Sequence, residues 1–128
     1  NCKALKFIKG WKHRYSLGIL HITNCTDIDL PNDEWEGLKN LVCLTIEDMS
    51  DLKSLPEGIK HPTNLEYLEI RSCPNLETVP KEVGEGLKNF TFIAIDDCPK
   101  LASLPESLTN NFIRLRIGNC PLLEPWNK

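Results

Sequence analysis

The sequence repeats itself at a nearly constant interval, and this constrains the fold more than any other feature. Five segments begin at residues 17, 41, 65, 90 and 112, and they share the pattern LxxLxIxxCxxL with single departures such as Met49, Phe90 and Phe112. A half segment at residues 2–16 precedes them, since CKALKFI from Cys2 matches CPKLASL from Cys98. A period of about 20–29 residues is typical of a solenoid, in which stacked repeats share one continuous core. We therefore expect residues 1–128 to form a single repeat domain.

Each repeat is predicted to contain one short strand, because its fourth and sixth residues are apolar and alternate with polar ones. The starts of these strands are too far apart for hairpin turns, so neighbouring strands should pair in parallel. The pattern predicts a leucine-rich-repeat right-handed solenoid of the α/β type, mostly β, with a parallel concave sheet of about five strands. The residues expected to point inward are Leu20 and Ile22, Leu44 and Ile46, Leu68 and Ile70, Ile93 and Ile95, and Leu115 and Ile117.

The segments between the strands should form an irregular or short-helical convex side. Most open with Leu-Pro or Val-Pro, and proline both removes a backbone donor and moves the preceding residue away from helical geometry. The prolines expected to mark this turn are Pro31, Pro56, Pro80 and Pro105. One apolar residue per segment is expected to close the core from this side: Leu38, Ile59, Leu87 or Leu108.

The six cysteines are placed by the repeat and not by a metal motif. No CxxC pair occurs, so zinc binding is not predicted. Five of them, Cys2, Cys25, Cys73, Cys98 and Cys120, occupy the ninth repeat position, and Met49 occupies it in the second repeat. Packing is the expected role, with a regulated disulfide between neighbours such as Cys73 and Cys98 as the alternative. Cys43 is expected to point outward.

Several functions are excluded by composition and by the placement of polar residues. The net charge of −3 and the pI near 5.6 offer no basic face for nucleic acid. No apolar run is long enough for a membrane span. The histidines His13, His21 and His61 do not converge, and no nucleophile has a plausible base. We therefore expect neither an enzyme nor a bound cofactor or metal.

The concave strand face is the predicted binding site, because the second, third, fifth, seventh and eighth positions should point outward. Its third column is unusually apolar for exposed positions, and tyrosine, phenylalanine and arginine are common interface residues. The other columns are acidic in the middle of the sheet and basic at its C-terminal end. The candidate partner-binding residues are Ile19, His21, Cys43, Glu47, Tyr67, Glu69, Arg71, Phe92, Asp96, Arg114 and Arg116.

The Cys-Pro and Leu-Pro pairs at fixed offsets, in LPEGI, CPNLETVP and CPKLASLPESL, carry a resemblance to a known family. The chain resembles the C-terminal leucine-rich repeats of plant intracellular nucleotide-binding immune receptors, the coiled-coil class especially. The resemblance implies a cytoplasmic module that recognises a pathogen effector or a host target protein, or that restrains the receptor's own nucleotide-binding domain. The chain carries no GxxxxGK[ST] loop of its own.

A free-standing repeat scaffold, without a switch domain, is the alternative from the residues alone. The chain opens in mid-repeat, which indicates a truncated N-terminus whose uncapped edge could support a homodimer. The pattern stops after Leu123, and Trp126 is expected to fold over the last repeat at a natural C-terminus. The two N-x-[ST] sequons at Asn24 and Asn89 are interpreted as chance occurrences in a cytosolic protein.

Overall fold

The structure, a computed structural model, describes residues 18–24, 38–55, 59, 62–80, 83, 87–109 and 113–126. Five strands of five residues each form one sheet in these ranges. Two short 3₁₀ helices, Glu106–Thr109 and Pro121–Trp126, lie on either side of the last strand. The strands are β1 (Ile19–Thr23), β2 (Cys43–Glu47), β3 (Tyr67–Arg71), β4 (Phe92–Asp96) and β5 (Arg114–Gly118).

The sheet is entirely parallel and follows the order of the chain, β1-β2-β3-β4-β5. Its register places equivalent repeat positions side by side, so that Leu44 pairs with Leu20 on one side and with Leu68 on the other. The same register continues through β4 and β5. This geometry confirms the predicted solenoid with a parallel sheet, because each step along the chain moves one strand across the sheet.

The core lies behind the sheet and is built from one stack of apolar residues per repeat position. Nine of the ten inward residues predicted for the strands are buried, and Leu115 on the last described strand is only partly buried. The predicted residues on the opposite side, Leu38, Ile59, Leu87 and Leu108, are at most 3% exposed. The core is thus filled from both sides, as stacking of repeats requires.

One of the outward positions is nevertheless buried. Ala94 occupies a fifth position, which should face solvent, yet it is only 1% exposed. Its methyl group is too short to project past the long side chains on either side, Glu69 and Arg116, which are its partners in the register. The alternation of the strand is therefore kept, and the burial comes from the neighbouring side chains on the same face.

The convex connections begin at prolines where the structure describes them. The amide of Val83 donates to the carbonyl of Pro80, and the amide of Leu108 donates to the carbonyl of Pro105. Each bond closes a tight turn directly after the proline, and the second turn opens the 3₁₀ helix Glu106–Thr109. These short turns agree with the expected short-helical convex side. Pro31 and Pro56 lie outside the described residues.

The chain leaves every strand through a residue in the left-handed backbone region. The residues at the eighth position have φ angles between 54° and 57°. After β1, β2, β3 and β4, the amide of this residue adds one more hydrogen bond to the parallel ladder with the next strand, as the amide of Asp48 does to the carbonyl of Arg71 at 3.1 Å. Asparagine and aspartate tolerate this backbone better than other non-glycine residues. The eighth-position residues are Asn24, Asp48, Ser72, Asp97 and Asn119.

The ninth-position residues pack inward immediately after this turn. Cys73, Cys98 and Cys120 have no solvent exposure, and Met49 is 1% exposed. Each thiol donates to the carbonyl two residues earlier, as Cys98 Sγ does to the carbonyl of Asp96 at 3.4 Å. The hydrogen bond with Cys73, followed by burial, raises the pKa of the Cys98 thiol.

The four described cysteines, which include Cys43, are free thiols. The inward packing predicted for the ninth position is seen at Cys73, Cys98 and Cys120. Cys2 and Cys25 lie outside the described residues. The half segment, the N-terminal edge proposed for a homodimer, and the side chain of Trp126 also lie outside them.

Candidate partner-binding face

The third-position row lies at the amino-terminal edge of the concave face, the solvent-facing side of the five-stranded sheet, because the third position is the first residue of every strand. The register aligns its members directly, from Ile19 on β1 to Arg114 on β5. Ile19 is 72% exposed, whereas Cys43, Tyr67 and Phe92 are half-buried. The row therefore presents apolar surface across four strands and a guanidinium on the fifth.

Tyr67 and Phe92 form a stacked aromatic pair at the centre of this row. Their ring centroids are 4.9 Å apart and their planes are inclined by 18°. This separation nearly equals the spacing between neighbouring strands, about 4.8 Å, so the stack follows from adjacent positions in a parallel ladder. Aromatic pairs of this kind are rigid and expose large apolar area at little cost in conformational entropy.

Charges in the fifth-position row form one ion pair within a strand and one that spans two strand spacings. A carboxylate oxygen of Glu69 lies 3.7 Å from Nε of Arg71 and 3.9 Å from Nη2 of Arg116. Arg116 belongs to β5 and Glu69 to β3, so their ion pair passes over the methyl group of Ala94 on β4. Both distances exceed that of a good hydrogen bond, and both guanidinium groups remain largely exposed.

The carboxyl-terminal ends of the strands form an acidic margin of the face. Nε2 of His21 lies 3.0 Å from Oε1 of Glu47, and the imidazole donates a hydrogen bond to this carboxylate when Nε2 carries the proton. Asp48, Asp96 and Asp97 have no ion-pair partner among the residues that the structure describes. This margin would repel an acidic group from a partner and favour a basic one.

The environment of Tyr67 perturbs its phenol. Burial, and then the nearby carboxylate of Glu69, raise the pKa of Tyr67 above its ordinary value of 10.0. The phenol is therefore neutral at physiological pH and its hydroxyl is able to donate a hydrogen bond to a partner.

The structure brings the candidate residues together in three rows. Their sequence pattern correctly indicated which columns they share, but it did not reveal the stacked geometry of the aromatic pair or the ion pair over Ala94. It also missed the left-handed turn that ends every strand. The recurrence of asparagine, aspartate or serine at the eighth position was the available signal, since these residues favour such turns.

Other kinds of site find no support within the described ranges. No group of three or more His, Cys, Asp or Glu side chains among the described residues could hold a metal ion. No helix in the same part of the chain has the length and apolar character needed to cross a membrane.

The register and the repeating core define the chain as a leucine-rich-repeat solenoid. No protein-family model matches the sequence, and a search of curated proteins finds no match. Among solved structures, the chain is similar to the leucine-rich repeat domain of the type III effector XopL, with 17% sequence identity and a TM-score of 0.46. The match covers 94% of this chain and spans 58% of the length of the other.

Proposed function

We propose that this chain is a protein-interaction module that binds its partner on the concave face. The observation that carries the proposal is the third-position row, in which Ile19 and the Tyr67–Phe92 stack present contiguous apolar surface to solvent. Isolated apolar residues on a surface need no explanation, but a contiguous patch of them commonly marks a contact. The rigid stack supplies the kind of central aromatic group on which interface energy concentrates.

The charged rows beside the patch support the same proposal. Arg114 and Arg116 stand at one end of the face, while Asp48, Asp96 and Asp97 line its margin. Such a separation of charge contributes little to the stability of the fold, but it orients an approaching partner and rejects partners of the wrong layout. The apolar row at the amino-terminal edge of the strands is thus flanked by charged residues, and an interface commonly pairs an apolar region with polar residues beside it.

Within this class, we propose that the module serves a plant intracellular immune receptor. The support is the sequence resemblance carried by the Cys-Pro and Leu-Pro pairs, as in CPNLETVP at residues 73–80. The partner would then be a pathogen effector, a host protein, or the nucleotide-binding domain of the receptor itself, in the cytoplasm. A free-standing scaffold would use the same face without a switch domain.

The paired substitution Tyr67→Ala with Phe92→Ala tests the binding face. A photoreactive phenylalanine analogue at Ile19 first identifies the protein that contacts the row, and its affinity is then measured for the wild type and the double variant. We expect binding to weaken about tenfold or more, because two central residues of an interface commonly contribute over 1 kcal/mol each. Circular dichroism melts establish that the double variant is folded at the assay temperature. A folded double variant that binds with unchanged affinity refutes the proposed site.

The receptor assignment is tested separately by sequencing the native transcript upstream of Asn1. An open reading frame with a GxxxxGK[ST] loop after a predicted strand supports the receptor. A start codon just ahead of Asn1 supports the scaffold and contradicts the receptor.

A further inference from the structure

The C-terminal end of the third-position row differs from the rest because it is cationic and unpaired. Arg114 is exposed, and although its backbone amide donates to the carbonyl of Thr91, its guanidinium has no hydrogen bond or ion pair with any residue that the structure describes. Two residues later on the same face, the guanidinium of Arg116 is 66% exposed and only loosely approached by Glu69. Two neighbouring guanidinium groups with free donors form a site for a carboxylate, which arginine binds with bidentate geometry.

The apolar and cationic parts of the row lie at a defined separation. Phe92 and Arg114 are direct partners in the register, so they are one strand spacing apart, about 4.8 Å. The midpoint of the Tyr67–Phe92 stack lies about half a spacing further on, which places it about 7 Å from Arg114. Side chains two residues apart on an extended peptide lie on one face and are about 6.6–6.8 Å apart.

We infer that the partner presents an extended acidic segment across the strands, with an apolar side chain on the Tyr67–Phe92 stack and a carboxylate two residues away on Arg114. The motif therefore has an apolar residue and Asp or Glu separated by one residue, and the direction of the segment determines their order. This inference rests on the proposed function, since it specifies the chemistry of the partner that the concave face binds.

The acidic margin fixes where the carboxylate of the partner lies. Asp96 and Asp97, at the carboxyl-terminal end of β4, would repel a second carboxylate. Glu69 already faces Arg116 from the other side of Ala94. The position next to Arg114 is thus the one on the described face that combines adjacent apolar surface with an uncompensated positive charge.

Selection from a phage-displayed library of random linear peptides tests the inference. Peptides enriched on the wild type should share the apolar-x-acid spacing in one of its two orders. Those enriched on an Arg114→Glu variant should carry Lys or Arg in place of the acid. The matched control is Lys88→Glu, which makes the same charge change at an exposed turn outside the strands and should retain the wild-type motif.

A titration then measures one selected peptide against its Gln-for-Glu or Asn-for-Asp analogue, by fluorescence anisotropy of a labelled peptide. The neutral analogue should bind the wild type about two- to fivefold more weakly, the effect of an exposed ion pair. On Arg114→Glu the order should reverse, because the new carboxylate repels the charged peptide. This comparison changes the ligand, so it does not depend on the folding of a variant.

Three results would overturn the inference: selection of basic or uncharged peptides by the wild type, an unchanged motif on Arg114→Glu, or no enrichment over a Tyr67→Ala/Phe92→Ala/Arg114→Glu variant. Each is distinguishable from failure of the proposed function, because the cross-linked partner would still lose affinity on the aromatic double variant. If the proposed function were wrong, that partner would instead bind the double variant as tightly as the wild type.

Discussion

The stacked pair Tyr67–Phe92 should contribute a measurable coupling energy to stability while remaining dispensable for the fold. Each ring is half-buried on the solvent-facing side, so truncation to alanine should cost about 2 kcal/mol, below the roughly 3–5 kcal/mol of a fully buried phenylalanine. The centroid distance of 4.9 Å and the small interplanar angle correspond to a stacking energy of about 0.5–1.5 kcal/mol. The double variant should therefore lose about 3 kcal/mol, because the stack can be lost only once.

A double-mutant cycle measured by urea denaturation provides the test. The free energy of unfolding is determined for the wild type, Tyr67→Ala, Phe92→Ala and the double variant, with the transition followed by circular dichroism. A second cycle pairs Tyr67→Ala with Ile19→Ala in the same row. These two residues are two strands apart, about 9.6 Å, so their effects should add within about 0.5 kcal/mol.

Two results would refute the reasoning about the stack. A coupling energy indistinguishable from that of the Ile19 cycle would mean that the rings do not interact. A double variant that fails to fold would mean that the pair belongs to the core, since a loss of about 3 kcal/mol leaves a domain of ordinary stability, about 5–15 kcal/mol, folded.

Three further predictions concern the phenol, the strand-ending turn and the thiols. Because burial raises the pKa of Tyr67 above 10.0, the unfolded state ionises first as the pH rises, so stability should fall as the pH rises through 10. The fall should be smaller in Tyr67→Phe, and equal pH dependence of the two proteins in denaturant titrations would contradict this. Asp97 has φ near 56°, a backbone conformation that asparagine tolerates and valine does not. Asp97→Asn should therefore change the stability little, whereas Asp97→Val should lower the free energy of unfolding by about 1–2 kcal/mol. Equal melting temperatures of the two variants would contradict the left-handed turn. In native protein a thiol reagent should modify the half-buried Cys43 faster than the fully buried Cys98, and mass spectrometry showing the reverse order would contradict the packing role.

The repeating strand could be predicted from the sequence because its signal is redundant. Every repeat has the same alternation of apolar and polar residues. A register shift of one residue in any strand would expose Leu44 or its equivalents to solvent. The same pattern also predicted that apolar residues fill the core from the strand side and from the convex side. The inward direction of the ninth-position cysteines could also be predicted, since they recur where the chain bends.

The details of the face could not be predicted, because they depend on side-chain lengths across strands and not on periodicity. The burial of Ala94 requires the long side chains of Glu69 and Arg116 on both neighbouring strands, which an alternating pattern treats as equivalent outward positions. Likewise, the pattern placed Tyr67 beside Phe92, but the overlap of their rings depends on side-chain rotamers.

The central claim is that the third-position row of the concave face contacts a protein partner. Its most direct test is the affinity of the protein cross-linked from Ile19, measured by isothermal titration calorimetry for the wild type, for Tyr67→Ala/Phe92→Ala and for Leu122→Ala. Leu122 is the matched control, because it is a large apolar residue, 56% exposed, in the 3₁₀ helix beyond the sheet. The account predicts an affinity at least about tenfold weaker for the aromatic double variant and unchanged for Leu122→Ala. An unchanged affinity of the folded double variant, with or without a loss for Leu122→Ala, would contradict it.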